Sequence, residues 1–226
     1  MKAVQEHPPL ASKTRILIVD DHPVVRGGLA RLIGDEKDLS ICHQADGAAD
    51  AMKQIRAAKA DLVLVDLSLK DGSGLELIKQ IKSEHPHIKT LVLSMHDEAL
   101  FAPRALRAGA SGYVSKGEPP ETIVKAIRQV LAGMVYLSSE TGQSMLRGMM
   151  DGRGRTTGSP LDVLSDRELE IFELIGRGLS AREIGEKLYL SVKTVESHRE
   201  HIKTKLRVDS SRELSRQAVV WVQEQQ

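Results

Sequence analysis

Apolar residues along the first half of the chain follow two alternating rhythms. Short unbroken runs at 16–19, 39–43, 62–65, 90–94 and 112–114 read as strands buried on both faces. Between them, at 24–34, 48–58, 75–84, 98–108 and 120–132, apolar residues recur every three or four positions. Leu75, Ile78 and Ile81 form one such stripe, and Ile123, Ile127, Val130 and Leu131 another. Pro120 beside Glu121 suits a first helical turn, where a missing N–H costs nothing. Strict alternation of strand and helix predicts an α/β fold, a five-stranded doubly wound parallel sheet with helices on both faces. Its ligand site belongs at the carboxyl ends of the strands.

The second half has no strand pattern. A further helix is expected at 138–146, followed by a glycine-rich flexible linker, GMMDGRGRTTGS, at 148–159. From 160 to 226 the pattern is helical throughout. Ser165 with Glu168, and Ser180 with Glu183, have the spacing of capping boxes. Ser191 opens a third helix running to about 207, and Ser211 a fourth. The chain therefore divides into an α/β domain at 14–135, a linker with a helix at 136–159, and a small all-α domain at 160–226.

Polar residues at the strand ends are the first chemical signal. The run RILIVDDH ends in Asp20 and Asp21, and DLVLVDLS ends in Asp66. Three carboxylates delivered to one edge repel one another and call for a cation. Mg²⁺ prefers oxygen ligands and is usually held by one or two carboxylates beside a phosphate. Ser94 ends the fourth strand with a hydroxyl, and Lys116 follows the fifth with a cation. A carboxylate flanked in this way can act as a nucleophile toward phosphorus, giving an aspartyl phosphate. Taken singly, each residue has an ordinary reading: a turn or helix-cap acid, a turn serine, a solvated lysine. Their joint placement at four strand ends carries the inference.

Composition narrows the field. Formal charge is +1, so no overall field favours nucleic acid or membrane. Aromatics make up 3%, which disfavours an aromatic-lined ligand cage. Cys42 is alone, so no internal disulfide or cysteine-rich metal site is expected. The N-terminus lacks an apolar signal region, and no segment approaches the ~20 apolar residues that span a bilayer. A soluble, cytoplasmic protein is expected.

The pattern Asp20–Asp21, Asp66, Ser94 and Lys116 resembles the receiver domain of bacterial two-component response regulators, over roughly residues 14–133. The resemblance implies that Asp66 is the phosphoacceptor. Asp20, Asp21 and Asp66 would be the Mg²⁺ ligands, Ser94 the switch hydroxyl and Lys116 the phosphate-binding lysine. Tyr113 matches the family's aromatic switch position, and its alternative is plain core packing. Gly74 matches a turn glycine. Lys70 departs from the family, which usually has proline there.

The second domain carries LSDRELEIFELIGRGLSAREIGEKLYLSVKTVESHREHIKTKL, three short helices with a tight turn at 189–191, which fits a helix-turn-helix. Residues 191–207 hold five basic and two acidic side chains, net +3, whereas 160–190 hold four and seven, net −3. Basic charge is thus concentrated on the third helix, where it can meet phosphates. The segment resembles the LuxR-type helix-turn-helix, and the whole chain the NarL/FixJ arrangement. Lys193, Thr194, Glu196, Ser197, Arg199, Glu200 and Lys203 are the candidate DNA-contacting residues, while His198 reads as a packed side chain. Glu196 and Glu200 stand where the family more often has basic residues, and glutamate can accept from cytosine N4.

These readings imply a transcription regulator, not an enzyme. A sensor histidine kinase would phosphorylate Asp66, a homodimer would form on double-stranded DNA, and RNA polymerase is a candidate further partner. The resemblance also implies that the unphosphorylated receiver masks the third helix. Three rival readings remain. Aspartyl-phosphate phosphatases need a second acid two residues after the nucleophile, and Ser68 stands there. A small-molecule-sensing LuxR protein needs an apolar cavity, which the αβ pattern opposes. A receiver-fold regulator that works without phosphate is the nearest alternative.

Overall fold

The computed structural model describes residues 13–150 and 160–224; most of the expected glycine-rich linker lies outside them. Five strands form one parallel sheet in the order β2-β1-β3-β6-β7. They are β1 (Thr14–Val19), β2 (Leu39–Ala45), β3 (Leu62–Val65), β6 (Lys89–Ser94) and β7 (Gly112–Ser115). The alternating helices are α1 (Pro23–Gly34), α2 (Ala48–Ala58), α3 (Gly74–Glu84), α4 (Glu98–Ala108) and α5 (Pro120–Leu131). The chain order reverses beside β1, so the crevice between β1 and β3 is the switch point of this doubly wound sheet. β3 is buried at all four positions. That is why its sequence reads as an uninterrupted apolar run and not as an alternation.

Two apolar layers sandwich the sheet. One packs Ile16, Ile18, Leu62, Leu64 and Leu91 against α1 and α5. The other packs Leu17, Val63, Val65 and Val92 against α2, α3 and α4, and continues without a break into the core of the second domain. A two-residue hairpin, β4 (Ser68–Leu69) with β5 (Gly72–Ser73), follows β3. Ser73 then caps α3 by accepting from Leu75 N. At Gly74 a Cβ would lie 2.1 Å from the Asp66 carbonyl oxygen, so only glycine lets α3 start this close to the end of β3.

Helix α6 (Ser139–Met150) follows the receiver-like unit. The second domain comprises a 3₁₀ turn (Pro160–Val163), α7 (Asp166–Gly176), α8 (Ala181–Leu188), α9 (Val192–Leu206) and α10 (Ser211–Glu224). Both expected capping boxes form: Ser165 and Glu168 satisfy each other's backbone N–H, as do Ser180 and Glu183. Ser191 caps α9 by accepting from Thr194 N. Gly176 is the last residue of α7, and its missing side chain admits α10, since a Cβ there would meet the Ala218 carbonyl oxygen at 2.4 Å.

Candidate functional site

The strand ends bring the acids together. Asp20 is 2% exposed and Asp66 4%. Lys116 Nζ bridges them, 2.7 Å from Asp20 Oδ2 and 2.6 Å from Asp66 Oδ2. Its aliphatic stem reaches in from the turn after β7, where its own N–H bonds the Ser94 carbonyl. The His22 N–H donates to Asp20 Oδ1 at 2.8 Å. Asp21 Oδ1 lies 2.6 Å from His22 Nδ1 and has no other donor. One ligand atom from each of Asp20, Asp21, His22 and Asp66 fits within 4.8 Å of the others.

Burial pushes the Asp66 carboxyl above its ordinary value; Lys116 opposes this and the Asp20 charge adds to it. Burial pulls Lys116 down, but Asp66 and Asp20 more than offset it and hold the ammonium above its usual range. The pocket is therefore electrostatically unfinished. Three carboxylates face one lysine and one exposed histidine, and the spare oxygen donors are of the hard kind that suits a divalent cation.

Ser94 is fully buried, and its Oγ accepts from the His96 N–H at 3.2 Å. Tyr113 is also fully buried, and its hydroxyl donates to the His96 carbonyl at 2.8 Å. Burial drives the Tyr113 phenol well above its ordinary value. Lys70, the residue that departs from the family pattern, pairs with Asp46 at the surface.

Sequence reasoning missed the lining contributed by the second domain. A crevice of about 130 Å³ at Asp66 is walled by Ser68, Ser94, His96 and Lys116 from the first domain, and by Glu173, Arg177 and Lys187 from the second. His96 Nε2 is 2.8 Å from Ser68 Oγ, and Nδ1 is 2.7 Å from Glu173 Oε2. Farther out, the Arg104 guanidinium donates to the carbonyls of Leu161 and Leu164 and to Asp166. The only sequence signal for these contacts was the position of His96, two residues beyond Ser94.

On α9, Lys193, Glu196, Ser197 and Glu200 are exposed. The expected masking of the third helix is therefore not what this arrangement shows. The first domain is met instead by α7 and by the turn after α8, where Tyr189 feels the charge of Asp21. Thr194 is half-buried; its N–H donates to the capping Ser191 Oγ at 3.0 Å, and its hydroxyl lies 2.7 Å from the same oxygen. Arg199 and Lys203 lie folded back, near Glu196 at 3.5 Å and Glu200 at 2.8 Å. Lys205 bonds the buried Glu168 at 2.6 Å. His198 is half-buried, and burial holds its imidazole below the ordinary value.

Comparison with known proteins agrees with this anatomy. Residues 16–128 match the response regulator receiver domain, and 162–218 match the bacterial regulatory proteins of the luxR family. The chain belongs to the NarL/FixJ family of response regulators, DNA-binding transcription regulators with a receiver and a LuxR-type domain. It is 37% identical to response regulator UvrY of Escherichia coli over 204 residues, covering 90% of this chain and 93% of that one. It is 36% identical to the oxygen regulatory protein NreC of Staphylococcus carnosus, covering 88% and 94%. Among solved structures, RcsB of Salmonella enterica bound to a promoter in the presence of the phosphomimetic BeF₃⁻ superposes with a TM-score of 0.61. That match has 25% identity and covers 91% of this chain and 98% of the other. Among the described residues, no helix is long and apolar enough to cross a membrane.

Proposed function

We propose that Asp66 is a phosphoacceptor whose modification controls DNA binding by the second domain. The observation that carries this reading is the convergence of Asp20, Asp66 and Lys116 within 2.7 Å contacts at the ends of β1, β3 and β7. An Asp66 oxygen attacks the phosphorus of a phosphohistidine on a partner kinase. The new O–P bond forms as the P–N bond breaks, and the departing imidazole takes up a proton. Asp20, Asp21 and Asp66 would hold Mg²⁺, which supplies charge neutralisation at the phosphoryl oxygens. Lys116 pairs with a phosphoryl oxygen, and the Ser94 hydroxyl donates to another. The DNA-facing side chains are assigned to α9: Lys193, Glu196, Ser197 and Glu200 outermost, with Arg199 and Lys203 extending to phosphates. Two copies would read two half-sites.

Incubation with acetyl phosphate, read by intact mass, tests the chemistry. The expected result is a Mg²⁺-dependent gain of one phosphate that Asp66→Asn abolishes. No gain in the folded wild-type protein would favour a receiver-fold regulator that acts without phosphate.

A further inference from the structure

His96 is held at four points. Its N–H bonds Ser94 Oγ, its carbonyl accepts from Tyr113, Nε2 meets Ser68 Oγ, and Nδ1 meets Glu173 Oε2. The first three partners belong to the receiver, and Ser68 and Ser94 line the Asp66 crevice. The fourth lies 77 residues away on α7 of the DNA-binding domain. The imidazole is 8% exposed and the Glu173 side chain 2%, so the contact is largely shielded from solvent. The ring also packs against Phe101, with centroids 4.6 Å apart, which fixes its plane. Glu173 in turn accepts from Arg177 at 2.5 Å, so the carboxylate is oriented from both sides.

We infer that the His96–Glu173 contact is the latch through which the state of Asp66 reaches the DNA-binding domain. The argument rests on the phosphoacceptor reading of Asp66. A phosphoryl group there recruits hydroxyl donors. Ser94 and Ser68 line the same crevice, and each now holds one end of His96. When these serines turn toward the phosphoryl group, His96 loses its N–H anchor and its Nε2 partner and keeps only the Tyr113 hydroxyl on its carbonyl. The imidazole is then free to leave Glu173, and α7 lifts from the crevice. Like charge between the phosphoryl group and the buried Glu173 acts in the same direction. The outer contact of Arg104 with Leu161, Leu164 and Asp166 involves none of these groups and persists as the pivot. Coupling of this kind is reciprocal at equilibrium, so loosening the latch favours the receiver conformation that holds a phosphoryl group.

The chain's single tryptophan, Trp221, reports on this seam. It lines a cleft together with Met95, His96, Asp97, Glu173 and Arg177. The experiment follows Trp221 emission and the rate of phosphate uptake from acetyl phosphate in the full chain. It compares wild type, Glu173→Gln, His96→Gln and the double variant, with helical content checked by circular dichroism. Glu173→Gln is expected to shift Trp221 emission to the red without any phosphate and to raise uptake about fivefold. Beryllofluoride with Mg²⁺ should shift the wild type to the same position. His96→Gln should reproduce both effects, and the double variant should add nothing further, because one contact is being removed twice. Folded single variants with wild-type emission and uptake would overturn the latch. Phosphate uptake by the wild type that leaves Trp221 emission unmoved would overturn its link to Asp66. If no protein takes up phosphate but Glu173→Gln still shifts the emission, the interdomain contact stands and the phosphoacceptor reading is what fails.

Discussion

Lys116 occupies the centre of the site at residue scale. Its ammonium separates Asp20 from Asp66, two carboxylates that are otherwise sealed from solvent. Replacement by methionine keeps the stem and removes the charge, leaving two buried anions with no cation between them. Loss of one partner from a buried ionic cluster costs about 3 kcal/mol. Lys116→Met should therefore lower stability by that order in urea denaturation, and added Mg²⁺ should restore most of it. A variant equally stable with and without Mg²⁺ would show that the acids do not bind the ion. The acids, the serine and the lysine were legible in the sequence because each lies at the carboxyl end of a strand that is itself legible. Glu173 was not. It lies in a segment, 160–190, whose acids carry no site motif, and its partner belongs to another domain. Nothing in the local pattern separates Glu173 from the exposed Glu186.

Element boundaries followed the apolar pattern closely where that pattern is regular. The expected strand at 62–65 is β3 itself, and the expected helices at 48–58 and 98–108 coincide with α2 and α4. The β4–β5 hairpin escaped notice because two-residue strands carry no periodicity. Helix α6 runs four residues beyond its expected end, into the methionines that resembled linker. Short α8 illustrates how local chemistry sets an element's stability. Eight residues are too few to sustain a helix alone. Its start is fixed by the Ser180–Glu183 box, whose Ser180 N–H and Oγ both reach Glu183 Oε2. Ser180→Ala should cost the second domain about 1 kcal/mol, measured as a drop in its thermal midpoint. Ser191→Ala should act similarly at α9, where the cap also sets the angle at which the helix leaves the turn.

The whole molecule carries its own titration. Burial alone would depress the His96 imidazole. The hydrogen bond and charge of Glu173, with the charges of Glu170 and Asp66, raise it above the ordinary value. Glu173 is pushed up by burial but held below its ordinary value by His96 and Arg177. The groups facing this pair include Asp66 at the end of β3, Asp97 at the start of α4, the Tyr113 phenol from β7, and Glu170 and Arg177 from α7. A histidine whose value is raised by a contact strengthens that contact below its free value of about 6.5 and loses it as pH climbs through the raised value. A glutamate whose value is lowered supports the contact above about 4.3 and loses it as pH falls. Domain closure should thus be firmest in mildly acidic solution and relax on the alkaline side. Trp221 emission between pH 5.5 and 9 measures this directly; a flat profile would mean that His96 does not carry the charge.

Helix α7 has two obligations. Leu169, Phe172 and Ile175 belong to the core of the helix-turn-helix, while Glu173 and Arg177 close over the receiver. The two domains are consequently not interchangeable parts. A graft that joined this receiver to a relative's DNA-binding domain lacking an acid at the Glu173 position would fold, bind its operator and accept phosphate. It would no longer convey one event to the other. Choice of regulatory partner is written into the back of the helix that supports DNA recognition, so new pairings of these domains must re-match that face before they can signal.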